Sequence, residues 1–418
     1  MTDHEIRDGG AISRRRLLQG GALAGFGAFL AACSSGGGTA TSAPSTGAPA
    51  SASASAGASG EASPSASSSG SGEVEGPLNF ANWPAYIDLN EDETKQPTIE
   101  DFKAKYKIDV SYVEDIQTNE DFFATIAPQL QAGLDTGWDL IVLTDYMAAR
   151  LVNAGWVEAI DAANVPTAAA NVRDELRGIL WDPDMKFHFP WQSGATGIGY
   201  NVVSTGKDLA KTADLFADEL KGKVTLLSGY QDTFALISLV LLENGTISNT
   251  PDKLTVDDAQ KVHDYLKPYV DSGHVRKFTG NEYLQDFASG DTWAAEVWSG
   301  DLASSGGDDD RFQYPAEGSI IWTDNMLIPK GAVHKRAAEA MIDFVYEVPN
   351  AARLAKFIYY ISPVKGVSEE IKKTDADLAA NPLLFPPPEV TAKQHAQPAL
   401  AVEDDQKVTD LMSDLEGS

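Results

Sequence analysis

The sequence predicts an α/β protein in two lobes, and three observations lead there. Beyond residue 76, short apolar segments of strand type alternate with segments whose apolar residues recur three and four apart. Such alternation builds a sheet with helices on both faces. One strand segment, 138–143 (Trp-Asp-Leu-Ile-Val-Leu), is apolar almost throughout, as in strands covered on both sides. Finally, the stretch from Pro77 onward holds about 340 residues, more than a single hydrophobic core usually organises.

Taken in order, the first 32 residues are not part of that body. Ser13-Arg14-Arg15-Arg16-Leu17-Leu18 leads into an apolar run that ends Leu30-Ala31-Ala32-Cys33. A charged start, an apolar middle and a small-residue cleavage site make an export signal, and paired arginines mark the twin-arginine route. Gly20, Gly21, Gly25 and Gly27 make the run a poor soluble helix. Leu-Ala-Ala-Cys is similar to a bacterial lipobox, so Cys33 is expected to be lipidated, to become the new N-terminus and to hold the protein to a membrane. Residues 34–76 are almost wholly Ser, Ala, Gly, Thr and Pro, which cannot bury a core and is expected to be disordered. Such a tether reaches about 35 Å.

In the body, 78–81 reads as a strand ending in Asn82-Trp83, 98–106 as a helix and 108–113 as an alternating strand. A helix at 120–132 precedes the 138–143 strand, and 146–154 is helical again. Strands follow at 196–201 and 224–228. Next come an apolar helix at 233–242, closed by Asn244-Gly245, and a helix at 256–272. Strands at 293–298 and 319–328 and a helix at 335–346 complete the pattern.

The charge excludes some partners. The chain has 32 basic and 61 acidic residues, a net −29. Removing residues 1–32 takes away four arginines and three acids, leaving −30. Phosphates would be repelled, so no nucleic acid partner is expected, nor an electrostatic grip on anionic lipid. Cys33 is the single cysteine; once it is lipidated, neither disulfides nor thiol chemistry remain.

There is no nucleophile elbow, phosphate-binding loop or zinc-type histidine pair. Gly194, Gly197 and Gly199 stand in the wrong order for a dinucleotide turn. Asp88, Asn90 and Asp92 open like a calcium loop, but Glu93 stands at the glycine position and Ile99 at the glutamate position. Asp308-Asp309-Asp310 reads as a solvated turn. No pair of carboxylates is singled out, so neither enzyme activity, cofactor nor metal is expected.

What remains is a set of rings and acids at strand ends: Trp83, Tyr86, Tyr146, Asp232, Trp298, Trp322-Thr323-Asp324 and Tyr359-Tyr360. Ligands of open α/β sheets bind beyond the carboxyl ends of strands. Aromatic faces and carboxylates both attract cations, so the set suits an alkylammonium ligand, with rings on methylenes and acids on amines. Asp324, in an apolar strand, needs a partner, because a buried unpaired carboxylate costs several kcal/mol.

On these residues the body resembles the extracellular solute-binding proteins of bacterial ABC importers, of the spermidine/putrescine type. The matching segments are Asn82-Trp83-Pro84-Ala85-Tyr86, Trp138-Asp139-Leu140-Ile141-Val142, Gly194-Ala195-Thr196-Gly197-Ile198-Gly199-Tyr200-Asn201, Trp298-Ser299-Gly300, Glu317-Gly318-Ser319-Ile320-Ile321-Trp322-Thr323-Asp324 and Ile328-Pro329. They occur in family order over nearly all of 77–365; beyond Gly366 the match is poor.

The resemblance implies a two-lobed periplasmic-binding-protein (flytrap) fold with mostly parallel sheets, flanking helices and crossover hinge strands. Lobe 1 would comprise 77–194 plus 323–365, and lobe 2 would comprise 195–322 plus 366–418, with a last crossing near Val364–Gly366. Trp83, Tyr86, Trp298, Trp322 and Tyr360 match the family's aromatic box and Tyr146 its tyrosine after the third strand. Asp324 matches its amine-holding acid, and Asp232 stands where it has a glutamate. Two features depart. Pro84-Ala85 replaces an acidic or hydroxyl residue, and around Ser228-Gly229-Tyr230 an aspartate is missing, for which Asp145, Glu296 or Asp301 are the candidate replacements. The implied function is capture of a polyamine and its delivery to an ABC permease by a lipid-anchored monomer on the periplasmic or cell-wall side. The rivals are another small amine or organic ligand in the same fold, a secreted lipoprotein enzyme, and a surface scaffold.

Overall fold

The computed structural model describes residues 73–417 apart from 117 and 281. The export signal, Cys33 and the linker up to residue 72 lie outside those residues. In chain order the elements are β1 (Leu78–Ala81), α1 (Pro97–Tyr106), β2 (Val110–Val113), α2 (Asn119–Ala132), β3 (Leu140–Thr144), α3 (Asp145–Asn153), β4 (His188–Asn201) and β5 (Val224–Leu227). They continue with α4 (Tyr230–Glu243), α5 (Val256–Asp271), β6 (Val275–Thr279), α6 (Tyr283–Ser289), β7 (Ala294–Trp298), α7 (Ser299–Ser305), β8 (Asp310–Gln313) and β9 (Ser319–Leu327). The last are α8 (Lys335–Val345), α9 (Val348–Ile358), β10 (Gln394–Ala396) and α10 (Val402–Glu416).

The strands follow the order β2-β1-β3-β9-β4-β7-β5-β6, with β8 paired to β4 and β10 to β9. The ladders β2-β1-β3 and β7-β5-β6 are parallel. Between them β3-β9, β9-β4 and β4-β7 are antiparallel. The expected parallel ladders therefore form the flanks, and the sheet as a whole is mixed. The cause is the crossover: β4 carries the chain from one lobe to the other, β9 brings it back, and two such strands side by side run in opposite directions. Their ladder extends from His188↔Leu327 to Thr196↔Ile320.

Each flank is covered on both faces. In β3, Leu140 and Val142 enter one core with Phe80, Phe102 and Met341, while Ile141 and Leu143 enter another with Met147 and Leu151. This explains the unbroken apolar run in the sequence. In the second lobe Val224 and Leu226 pack with Phe234, Ile237 and Val262, and Leu227 packs on the other face with Val297. Every residue of α4 from Thr233 to Leu241 is buried, as expected of a helix apolar all round.

Past Gly366 the chain departs from the expected course. Val367, Ile371, Leu378 and Leu384 are buried in the first lobe's core, because their apolar faces meet that lobe's helices. The passage to the second lobe comes after Phe385: β10 joins the edge of β9, and Val408, Met412 and Leu415 of α10 enter the second core.

Candidate functional site

The junction of the lobes gathers most of the singled-out residues. Asp324 stands on β9 opposite Thr144 of β3 and Gln192 of β4. Its Oδ1 accepts from the Thr144 hydroxyl at 2.8 Å and its Oδ2 from the Tyr86 hydroxyl at 2.7 Å. Thr144 is itself fixed by Asn119, which donates to its oxygen and accepts from its backbone N–H. The Tyr86 ring meets that of Tyr360 edge-on at 5.9 Å, and Tyr360 meets Trp322 at 5.1 Å. Two glycines allow this packing. A Cβ on Gly194 would come within 2.3 Å of the Trp322 ring, and one on Gly300 within 2.4 Å of the Tyr360 ring.

Local backbone strain aims these side chains. Ala85, just before Tyr86, has φ 54°, and Tyr359, just before Tyr360, has φ 63°. Left-handed conformations at non-glycine residues are costly and persist where surrounding structure imposes them, often at functional sites. Gly229 turns with φ 95° into α4 and so sets Asp232 in the first turn of that helix. This is the position where an aspartate was missed, and glycine there serves the turn.

Asp232 is the centre of the second lobe's share. It accepts from the Thr196 hydroxyl at 2.6 Å, Gln397 Nε2 at 3.1 Å and Trp298 Nε1 at 3.3 Å. Thr196 and Trp298 face each other across β4 and β7. The three candidate replacement acids are also here. Asp145 accepts from Thr323 N–H and Asn325 Nδ2 beside Asp324. Glu296 is buried on β7 and accepts from Leu227 N–H and the Thr233 hydroxyl. Asp301 accepts from the Tyr283 and Tyr360 hydroxyls at 2.7 and 2.9 Å, joining the lobes.

Among the described residues, no lysine or arginine is within ion-pair distance of Asp324, Asp145, Asp232 or Glu296; the donors named are neutral. Burial therefore dominates their proton affinity. Asp324 is pushed up to about 6, the Tyr86 and Thr144 bonds only partly opposing burial and the Asp232 charge adding to it. Asp145 rises to about 7, mainly by burial and further by Asp324. Glu296 rises to about 8, mainly by burial and further by Asp232, and Asp232 is raised by burial. The site is thus a low-dielectric cluster of acids that burial keeps partly protonated, and whose ionised forms a cation would stabilise.

Of the expected residues, Trp83 stands apart from these contacts. Trp83 is half-buried between the two first-lobe cores and donates Nε1–H to Val142 O at 3.0 Å. Tyr146 lies beside the cluster: it donates to Glu120 at 2.9 Å and interacts with Asn119. Its pKa is raised well above the usual phenol range by burial first, then by Glu120 and also by the Asp232 charge. Thr144, Thr196 and Gln397 were missed, and nothing in their sequence surroundings marks them. Glu296 carried a readable signal: it is an acid alone in an apolar strand, as Asp324 is. Asp88 does structural work, accepting from Thr98 N–H at the start of α1 and pairing with Arg353. Among the described residues no group of three His, Cys, Asp or Glu is placed to hold a metal.

Two α/β lobes crossed by β4 and β9, with acids and rings at the crossing, define a two-lobed solute receptor. Residues 98–386 match the model of the bacterial extracellular solute-binding protein family, and the chain belongs to that family. It is 25% identical over 288 residues to spermidine/putrescine-binding periplasmic protein 1 of Haemophilus influenzae, covering 68% of this chain and 76% of that protein. It is also 25% identical over 342 residues to the putrescine-binding periplasmic protein PotF of Escherichia coli, covering 76% and 85%. Among solved structures, the TpPotD lipoprotein of Treponema pallidum superposes with TM-score 0.69 at 18% identity, covering 82% of this chain and 99% of that one. The spermidine/putrescine transporter substrate-binding protein PotD of Streptococcus pneumoniae superposes with TM-score 0.67 at 21% identity, covering 81% and 98%.

Proposed function

We propose that this chain is the receptor subunit of an ABC importer for a di- or polyamine of the putrescine or spermidine kind. The observation that carries the reading is the cluster of Asp324, Asp145, Asp232 and Glu296, buried among neutral donors and walled by Tyr86, Trp322, Tyr360 and Trp298. An ammonium group supplies the missing counter-charge, and charge-assisted bonds to carboxylates are the strong ones. The rings cover the methylenes between amines and add cation–π attraction. The names of the curated relatives support the same ligand class.

In this reading Asp324 and Asp232 hold amines from opposite sides of the junction, and Tyr360, bonded to Asp301 across it, reports closure. Ligand binding shifts the lobes toward the closed form, which the permease subunits read. Cys33 carries the lipid, and the linker keeps the receptor near the importer. Thermal denaturation with putrescine, spermidine, spermine and a set of amino acids tests the reading. A ligand at 100 times its Kd adds about 2.7 kcal/mol of stability. A shift with at least one polyamine is expected; none with any of them removes the assignment.

A further inference from the structure

The family match ends at residue 386, yet the chain beyond it is built into the junction. β10 extends the edge of β9 from Gln394↔Ser319 to Ala396↔Ile321. From there α10 lies along α5, its apolar residues in the second lobe's core. In its first turn α10 carries Asp405, whose two oxygens reach opposite lobes. Oδ1 accepts from the hydroxyl of Tyr230, the first residue of α4 in its own lobe, at 2.5 Å. Oδ2 meets Arg150 Nη2 of α3, in the other lobe, at 2.6 Å. The Arg150 guanidinium also lies 5.9 Å from the centre of the Phe123 ring of α2.

We propose that Arg150, Asp405 and Tyr230 form a latch that holds the lobes closed and slows ligand release. The proposal rests on the reading that ligand is held between the lobes. The mechanics follow from what moves together. α10 is fixed to the second lobe by Val408, Met412 and Leu415, and Tyr230 orients the carboxylate in advance. Arg150 is fixed to the first lobe by α3, whose Met147, Ala148 and Leu151 are in its core. Opening therefore separates Arg150 from Asp405 while leaving the Tyr230 bond intact. The two side chains retain 29% and 18% exposure, so the pair is partly shielded from water and from screening by salt. Loss of the pair is expected to speed release about tenfold, which is about 1.4 kcal/mol.

The test compares the full chain with Asp405→Asn, Arg150→Gln and the double variant. Stopped-flow tryptophan fluorescence reads spermidine and putrescine release, and small-angle X-ray scattering reads the dimensions of the unliganded protein. Expected are larger unliganded dimensions and about tenfold faster release in each single variant, with the double variant no worse than either, because both remove one interaction. Unchanged dimensions and release in the single variants overturn the latch. So do effects that simply add in the double variant. Should the parent chain bind no polyamine, the receptor reading fails, and scattering alone still decides whether the latch holds the lobes together.

Discussion

Replacing Asp324 by Asn separates binding from folding. The carboxylate is 6% exposed, and its pKa is pushed up to about 6 by burial. At pH 8 it is ionised in both folded and unfolded chains, and the shift of about 2 units means that holding the charge in the unliganded fold costs about 3 kcal/mol. Asparagine carries no charge. Its amide nitrogen faces the Tyr86 or Thr144 hydroxyl, one of which loses its acceptor, at about 1 kcal/mol. The unliganded variant is therefore expected to be more stable than the parent by about 2 kcal/mol at pH 8. At pH 4 the acid is already protonated and the difference vanishes or reverses. Binding moves the other way. Losing a charge-assisted contact of about 1.5–3 kcal/mol weakens amine affinity roughly 10- to 150-fold. Thermal denaturation without ligand and titration calorimetry with spermidine read the two effects separately. Unchanged affinity refutes the reasoning, as does weaker binding accompanied by a less stable unliganded fold, which would make Asp324 a structural acid.

Further outcomes follow, the last of them from the sequence alone. Gly194→Ala forces the Trp322 ring aside, since its Cβ would come within 2.3 Å; overpacking of about 1–3 kcal/mol and weaker binding are expected, read by denaturation and titration. Tyr360→Phe removes one of the two tyrosine bonds to Asp301. With about 1 kcal/mol lost, affinity should fall roughly fivefold, while an unaltered Kd would show that the bond contributes nothing to closure. Raised acids add stability below their ordinary range and lose it as pH rises through the folded value. Asp145 (about 7) and Glu296 (about 8) should thus make the unliganded protein less stable between pH 6.5 and 8, by about 2 kcal/mol. The buried neutral His188, whose pKa is lowered by desolvation, acts in the opposite sense only below this window. Amine binding there should release protons, seen as heats that depend on the buffer's ionisation enthalpy. Cys33→Ser should move the exported protein from the membrane fraction to the soluble one, and retention in the membrane would refute lipidation at that residue.

The strands and helices of the flanks were legible because burial imposes a period: β3 is apolar on both faces, and the spacing of α5 is helical. Asp324 was legible because a lone acid in an apolar strand demands an explanation. Its partners were not. Thr144 and Thr196 meet the acids through strand register, Thr144↔Asp324 and Thr196↔Trp298, and a hydroxyl residue in a strand carries no mark of that. The C-terminal segment was the least legible part. β10 (Gln-His-Ala) has no strand character of its own and becomes a strand by pairing with the free edge of β9. In α10 many acids mask the spacing of Val408, Met412 and Leu415. β8 begins in the acidic run 308–310, and only pairing with β4 makes it a strand.

The most direct test of the central claim is a crystal structure with spermidine bound. The account places ammonium nitrogens at about 2.7–2.9 Å from the carboxylates of Asp324 and Asp232. It places the methylene chain among Tyr86, Trp322, Tyr360 and Trp298. Spermidine bound elsewhere, with Asp324 still satisfied only by Tyr86 and Thr144 and Asp232 only by Thr196, Trp298 and Gln397, would contradict it.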